Sequence, residues 1–384
     1  MPHVVVIGAG IVGAACAFYA AEAGLSVTVV DRAVPAAGTT SRGEGNILVS
    51  DKGPGPELDL ALLSARLWRE LGATRGAEME LEAKGGLVVA TSDAGAASLL
   101  RFAEAQAGAG VETQVVRGSQ LRALEPHLAP ELEVGVHYPG DLQVQPVQAA
   151  TALLRRATEH GAHVLTGVTV QGLERDADGH VAAVATSRGP LPADAVVNAT
   201  GTWAGEVSRR LGAQVPVLPR RGFVLVTEPL PRLVRHKVYS ADYVDNVAAS
   251  SAGLETSAVV EGTAGGTVLI GASRERVGFD PTLSPDVVAQ LARQAVALFP
   301  CLADVQLMRV YHGFRPYCPD HLPVLGWDPR VPGLLQAAGH EGAGIGLAPA
   351  TGALIAELIT GRPPSVDVAP FDPARFDDSG EEAS

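Results

Sequence analysis

Apolar and polar positions along this chain fall into two periods. Val4-Val5-Val6-Ile7 is a continuous apolar run closed by Gly8, the pattern of a strand buried on both faces. The alanine-rich stretch after Gly13 predicts a helix, and Ser26 to Val30 predicts a second strand ending at Asp31. Leu60, Leu63, Leu67 and Leu71 recur at helical spacing, Gly86 to Ala90 reads as a short buried strand, and Ala94 to Ala107 as a helix. A further helix-to-strand passage runs from Pro146 through Gly161 to Val164. Ala195 to Gly201 reads as a buried strand ending in a turn. Between Arg221 and Ile270 the pattern becomes β-rich, most clearly at Phe223 to Val226 and Thr267 to Ile270. Pro285 to Phe299 is helical, and Leu334 to Ala337 is a strand followed by a glycine-rich turn, with the next helix expected after Leu347. The acidic residues 372–384 are expected to form a disordered tail.

With 384 residues the chain is long enough for two domains, and the absence of a visible repeat or long linker predicts that they interleave in sequence. Acidic side chains outnumber basic ones by 42 to 29, a net charge of -13 that opposes nucleic acid and anionic membrane surfaces. Cys16, Cys301 and Cys318 have no metal-site or CxxC spacing, as in a reduced intracellular protein. Val4 to Ala21 carries no formal charge, yet no basic segment precedes it and its glycines fall at turn positions, so neither a signal peptide nor a membrane span is expected. A cytoplasmic or peripheral location is therefore expected.

The first turn carries the chemistry. In Gly8-Ala9-Gly10-Ile11-Val12-Gly13, Gly8 permits the tight turn, Gly10 lets the backbone approach a pyrophosphate, and Gly13 allows the helix to pack closely on the strand. Phosphate at that helix N-terminus and a ribose hydroxyl at Asp31 complete a dinucleotide-binding βαβ unit. Gly38 to Asn46 is a polar, hydroxyl-rich run of turn composition, and two more such turns follow strands at Thr200-Gly201 and at Gly339 to Gly344. Three such turns suit one extended ligand larger than NAD. No Ser-His-Asp set, metal cluster or carboxylate pair is evident. His312, His321 and His340 are candidates for tuning the site, and none is assigned a catalytic role.

These segments together resemble the D-amino acid oxidase family of flavoproteins, the group that includes glycine and sarcosine oxidases, the flavin subunits of proline and hydroxyproline dehydrogenases, and hydrogen cyanide synthase. The resemblance covers nearly the whole chain. It is carried by Gly8 to Gly13 with Asp31, Thr39-Thr40-Ser41 through Gly45-Asn46, Val197 to Trp203, Gly313-Phe314-Arg315-Pro316 with Pro319-Asp320, and Gly339 to Gly352. It implies an α/β fold: a Rossmann-like FAD-binding domain of glutathione-reductase type, interleaved with an α+β substrate domain on a mainly antiparallel sheet. The implied FAD-binding segments are 1–50, 141–222 and 309–384, and the substrate-binding segments 51–140 and 223–308.

FAD contacts implied by the resemblance are Gly8, Ala9, Gly10, Ile11, Val12, Gly13, Asp31 and Arg32, then Thr39, Thr40, Ser41, Gly45 and Asn46. They continue with Val168, which matches the residue whose backbone meets adenine, then Thr200, Gly201 and Trp203, and Gly339, Gly342, Gly344 and Ile345. The last turn has its own rationale, since a helix N-terminus beside the flavin N1 and C2 carbonyl stabilises the negative charge of reduced flavin. Gly313 stands where relatives with attached flavin carry the flavinylated cysteine, so FAD is expected to be non-covalent. Asp31 stands where FAD proteins favour glutamate.

Arg315 matches the family's substrate-carboxylate arginine, whose guanidinium takes a carboxylate through two parallel hydrogen bonds. Arg274, placed where glycine oxidases have an apolar side chain, is expected either to join it in holding a second anionic or polar group or to pair at the surface with Glu275. Tyr243 and Tyr239 are alternative pocket tyrosines. The implied reaction is oxidation of the C–N bond of a small amino, imino or N-alkyl amino acid, with oxygen, a quinone or a partner subunit as final electron acceptor. Assembly is expected as a homo-oligomer or a heteromeric complex. The alternatives are a flavin-bearing subunit that needs partners, a tRNA-modifying role opposed by the net charge, and an NAD-dependent dehydrogenase favoured only by Asp31.

Overall fold

A computed structural model describes residues 2–241 and 252–376. Its first layer is a six-stranded sheet in the order Val324–Trp327, Leu334–Ala338, Ala195–Asn198, His3–Ile7, Ser26–Asp31, His163–Thr166. All neighbours pair in parallel except the first two. Val4, Val5 and Val6 are fully buried, which is why this strand is apolar throughout rather than alternating. Helix Ile11–Glu22 packs against helices Pro146–Glu159 and Gly344–Thr360 on one face. Close approach is written into the small residues: a Cβ at Gly352 would lie 2.6 Å from the Ala15 backbone.

The second layer is an eight-stranded sheet, Leu307–Tyr317, Leu218–Thr227, Val268–Arg274, Glu255–Gly262, Lys237–Ser240, Gly86–Val89, Val134–Tyr138, Gln114–Arg117, antiparallel apart from the pairing of Lys237–Ser240 with Gly86–Val89. Helix Pro285–Leu298 covers it with Val287, Leu291, Ala295 and Leu298, one apolar stripe at helical spacing. Both sheets are built from segments far apart in the chain, so the two units interleave.

Several details differ from the sequence expectation. Leu307–Tyr317 and Leu218–Thr227 pair along their length, from Leu218 with Tyr317 to Thr227 with Leu307, and run through the boundaries expected at 222 and 309. Arg315, expected within the FAD-binding segment 309–384, therefore sits on a strand of the platform sheet. The last helix begins at Gly344, ahead of Leu347, because its opening turn is held from outside despite Pro349. A three-stranded meander, Val170–Arg175, Val181–Thr186 and Gly189–Pro192, carries no strong alternation, so the apolar pattern does not reveal it. Residues 373–376 form a 3-10 turn that is docked where a disordered tail was expected. The Arg375 guanidinium reaches Asp320 at 2.6 Å and donates to the Leu322 and Pro323 carbonyls. Residues 377–384 lie outside the described residues.

Candidate active site

A cavity of about 350 Å³ runs from Val168, Glu206 and Arg210 at one end to Gly313, Arg315 and Gly342 at the other, between the parallel sheet and the platform. The first turn forms its middle. Gly8 has φ +107°, and a Cβ there would lie 2.5 Å from the Ala199 oxygen, so only glycine permits this approach of strand to strand. Asp31 accepts the Ala9 amide on one carboxylate oxygen and the Ala33 amide on the other, both at 2.8 Å, fixing the loop around it. The Thr40 hydroxyl accepts the Ile11 amide at 3.0 Å, at the start of the first helix.

The remaining turns close around the same space. Thr39 donates to the Phe314 carbonyl at 2.8 Å, tying the hydroxyl-rich loop to the platform sheet. Thr200 donates to Asn198 Oδ1 at 2.7 Å, and Asn198 Nδ2 donates to Gln336 Oε1 at 2.9 Å, joining two strand ends. Arg32 lies over the Trp203 ring at 4.5 Å, and Trp203 stacks in parallel on Phe279 at 5.7 Å, so the rim is bridged from one unit to the other. The Val168 amide donates to the Asp31 carbonyl at 2.9 Å.

At the far end Arg315 Nη1 donates to the Ser273 carbonyl at 2.8 Å and occupies the space that a side chain at Gly222 would fill. Gly342 faces the Arg315 stem, where an added Cβ would lie 3.6 Å from Nε. His340 lines the cavity while buried. Burial holds its imidazole down to a pKa of about 4, and its Nε2 lies 2.9 Å from the Thr351 hydroxyl. His321 is held above its ordinary value by Glu341, whose Oε1 lies 3.0 Å from its Nδ1, and His312 below by burial and by Arg42.

Of the residues expected to meet FAD, Gly8, Gly10, Ile11, Val12, Asp31, Arg32, Thr39, Thr40, Gly45, Asn46, Val168, Thr200, Gly201, Trp203, Gly342, Gly344 and Ile345 line this cavity. Ala9, Gly13, Ser41 and Gly339 do not. Ala9 contributes its amide to Asp31, Gly13 packs against the Gly8 carbonyl, Ser41 donates to Gly38, and Gly339 turns the chain at φ +74° beside Cys318. Arg315 lines the cavity; Arg274 does not. Arg274 is buried in the field of Arg220, and Glu275, its expected surface partner, pairs with Arg221 at 2.8 Å. Tyr239 is also buried elsewhere, donating to Ser50 Oγ at 2.6 Å, and Tyr243 lies outside the described residues. Arg42, Glu44, Phe314 and Glu341 line the cavity without having been singled out. Glu44 carried a weak signal, as an acid flanked by two glycines in a loop otherwise suited to backbone contacts.

The lining fits FAD. Two helix N-termini whose N-cap residues, Gly10 and Ala343, give no side-chain cap open onto one elongated space. At Gly10 an added Cβ would press on Thr40 Oγ1 at 3.1 Å, so the glycine keeps the approach clear. Comparison with known proteins agrees. Residues 3–358 match the family described as FAD dependent oxidoreductase. The glycine oxidase of Geobacillus kaustophilus is 31% identical over 376 residues, covering 96% of this chain and 95% of that protein. Hydrogen cyanide synthase subunit HcnC of Pseudomonas aeruginosa is 29% identical over 419 aligned residues, covering 97% and 96%. Among solved structures, the G. kaustophilus glycine oxidase superposes with a TM-score of 0.87 over 98% of this chain and 99% of its own, at 29% identity. L-proline dehydrogenase from P. horikoshii does so at 0.89 over 98% of each, at 26% identity. Fold, cavity and sequence place this chain in the FAD-dependent oxidoreductase family of the D-amino acid oxidase type, enzymes that act on amino acids.

Proposed function

We propose that this enzyme oxidises the C–N bond of a small amino, imino or N-alkyl amino acid by hydride transfer from Cα, giving an imine that hydrolyses in water. The observation that carries the reading is Arg315. Its guanidinium is pinned on the Ser273 carbonyl at the cavity end where the uncapped Gly344 helix also opens. Bound FAD supplies the two-electron acceptor. Arg315 takes the substrate carboxylate through its planar fork and so fixes the direction of the Cα–H bond. The amides of the Gly342 to Ile345 turn supply positive potential where charge develops on reduction. None of Cys16, Cys301 and Cys318 lines the cavity, which supports non-covalent FAD.

Anaerobic mixing of the purified yellow protein with glycine, sarcosine, L-proline, hydroxyproline and D-amino acids tests the reading. Bleaching by at least one is expected, and fast return of colour in air marks an oxidase. Failure of all of them to bleach a flavin-loaded protein overturns it. The likeness to a hydrogen cyanide synthase subunit favours a second reading, a flavin-bearing subunit that needs partners. Turnover by a purified homo-oligomer would exclude that.

A further inference from the structure

Four carboxylates line the cavity: Asp31, Glu44, Glu206 and Glu341. Three are engaged. Asp31 holds two backbone amides, Glu206 pairs with Arg210 at 2.9 Å, and Glu341 lies 3.0 Å from His321 Nδ1 and 3.6 Å from Arg220. Glu44 differs. Its Oε2 accepts a hydrogen bond from Asn46 Nδ2 at 3.1 Å, and its Oε1 is buried without a hydrogen-bond partner among the described residues. It forms no ion pair with a lysine, arginine or histidine among the described residues, and residues 1, 242–251 and 377–384 contain none of these side chains.

The surroundings fix where this carboxylate stands. Oε1 rests against Gly271 of the platform sheet, in space that a side chain there would fill. The loop carrying it is held by Tyr311, whose hydroxyl donates to the Gly43 carbonyl at 3.3 Å, and an added Cβ at Gly43 would lie 3.0 Å from Ile345 Cδ1. Glu44 thus sits where the hydroxyl-rich loop, the platform and the Gly342 to Ile345 turn meet, at the Arg315 end of the cavity. Its field reaches Tyr311 and Glu261, and Glu261 has its own counter-ion in Lys84 at 3.5 Å. A buried carboxylate oxygen with no partner is costly unless a cation or N–H donor completes it.

We propose that Glu44 is a catalytic residue that receives the α-nitrogen of the substrate while Arg315 holds the carboxylate. This rests on the amino-acid oxidation proposed above. In that reaction the Cα–H bond breaks with its electron pair going to the flavin as hydride, and the nitrogen lone pair forms the C=N bond. Positive charge therefore develops on nitrogen. The Glu44 carboxylate accepts an N–H hydrogen bond that strengthens as the iminium forms, so its contribution is larger in the transition state than in the bound amine. A second consequence is selection: amino acids gain from Glu44, and carboxylates without nitrogen do not.

The test uses Glu44→Gln in the flavin-loaded protein, with whichever of glycine, sarcosine, L-proline and D-alanine bleaches the wild type fastest, and with propionate as the probe that lacks nitrogen. At saturating amino acid the anaerobic bleaching rate of Glu44→Gln is expected to fall at least tenfold. Propionate affinity, read from perturbation of the flavin spectrum, stays within twofold of wild type. Glu44→Asp, which keeps the charge, bleaches faster than Glu44→Gln. Bleaching of Glu44→Gln at the wild-type rate overturns the proposal while leaving the proposed reaction standing. So does an equal loss of propionate binding, or, where Glu44→Gln does not hold flavin, wild-type kinetics in Glu44→Ala or a Glu44→Asp rate more than tenfold below wild type with propionate binding intact. Absence of bleaching in the wild type with every amino acid takes down both.

Discussion

Trp68 Nε1 donates to the Ile345 carbonyl at 3.1 Å, across 277 positions of sequence. The bond answers a defect in the last helix. Pro349 has no N–H to give to the carbonyl four residues earlier, so Ile345 would end the first turn unpaired inside the core. Ser64 donates to the Gly346 carbonyl at 2.6 Å and accepts the Ala350 amide at 3.3 Å, completing the repair from the same helix, Pro56–Arg75. Because Gly344 and Ile345 line the cavity, the repair also sets the position of the turn that borders it.

Trp68→Phe keeps most of the apolar volume and removes the donor. A buried carbonyl left unpaired costs about 1 to 3 kcal/mol. A lower Tm of the holoprotein is expected, together with a shifted flavin reduction potential as the turn relaxes. An unchanged Tm and potential would show that the helix start is held by other means.

The crossing of the first and last helices gives a sharper steric case. Gly352→Ala places a methyl 2.6 Å from Ala15 backbone atoms, which cannot swing aside as a side-chain tip does. Overpacking of this kind costs about 1 to 3 kcal/mol. Gly108→Ala is the control, since an added Cβ there meets nothing within 4 Å at the exposed end of its helix. Denaturant midpoints are expected to fall for the first variant and to hold or rise for the second.

Sequence pattern showed the dinucleotide unit well because Gly8, Gly10 and Asp31 act within one local βαβ segment, where period and turn chemistry agree. It placed Arg315 in the cavity through resemblance alone. It left Arg274 with two readings and Tyr239 and Tyr243 as alternatives, since on a platform strand a shift of one residue moves a side chain to the opposite face. Nothing local marks which face is the cavity. Trp68 and Ser64 were invisible for a similar reason: their partners are carbonyls far away in the chain, and no periodicity encodes a repair of Pro349. Glu44 was hidden in a loop whose composition argues for backbone contacts.

Acid stability separates two buried groups of opposite sign. His340 binds its proton at about pH 4 in the folded protein, against an ordinary value near 6.5. Between these values the unfolded chain binds more protons, so His340 lowers stability as pH falls from about 6.5 to about 4, by at most about 3 kcal/mol. Asp141, buried and accepting from Val49 and Ser50, is raised from 3.8 to about 6, so its contribution is lost as pH rises through about 6 and returns below it. His340→Gln is expected to lose less stability than wild type between pH 7 and pH 5, and Asp141→Asn to lose more. Parallel stability curves for all three proteins would refute these assignments.

Arg315 can be tested apart from the flavin because the loop is tied to its strand through backbone atoms, Thr39 Oγ1 meeting the Phe314 carbonyl rather than the guanidinium. Arg315→Leu removes the fork and leaves that tie in place, so flavin content is expected to match wild type. Truncating one partner of a buried charged pair costs about 2 to 5 kcal/mol, which corresponds to a thirtyfold or greater rise in the KM for an amino acid and a similar loss of propionate affinity. Arg315→Lys keeps the charge but presents it as a point without the planar pair of donors, so it is expected to fall between the two. Full propionate affinity in Arg315→Leu would move the carboxylate site elsewhere in the cavity, with Arg42, which also lines it, as the next residue to replace.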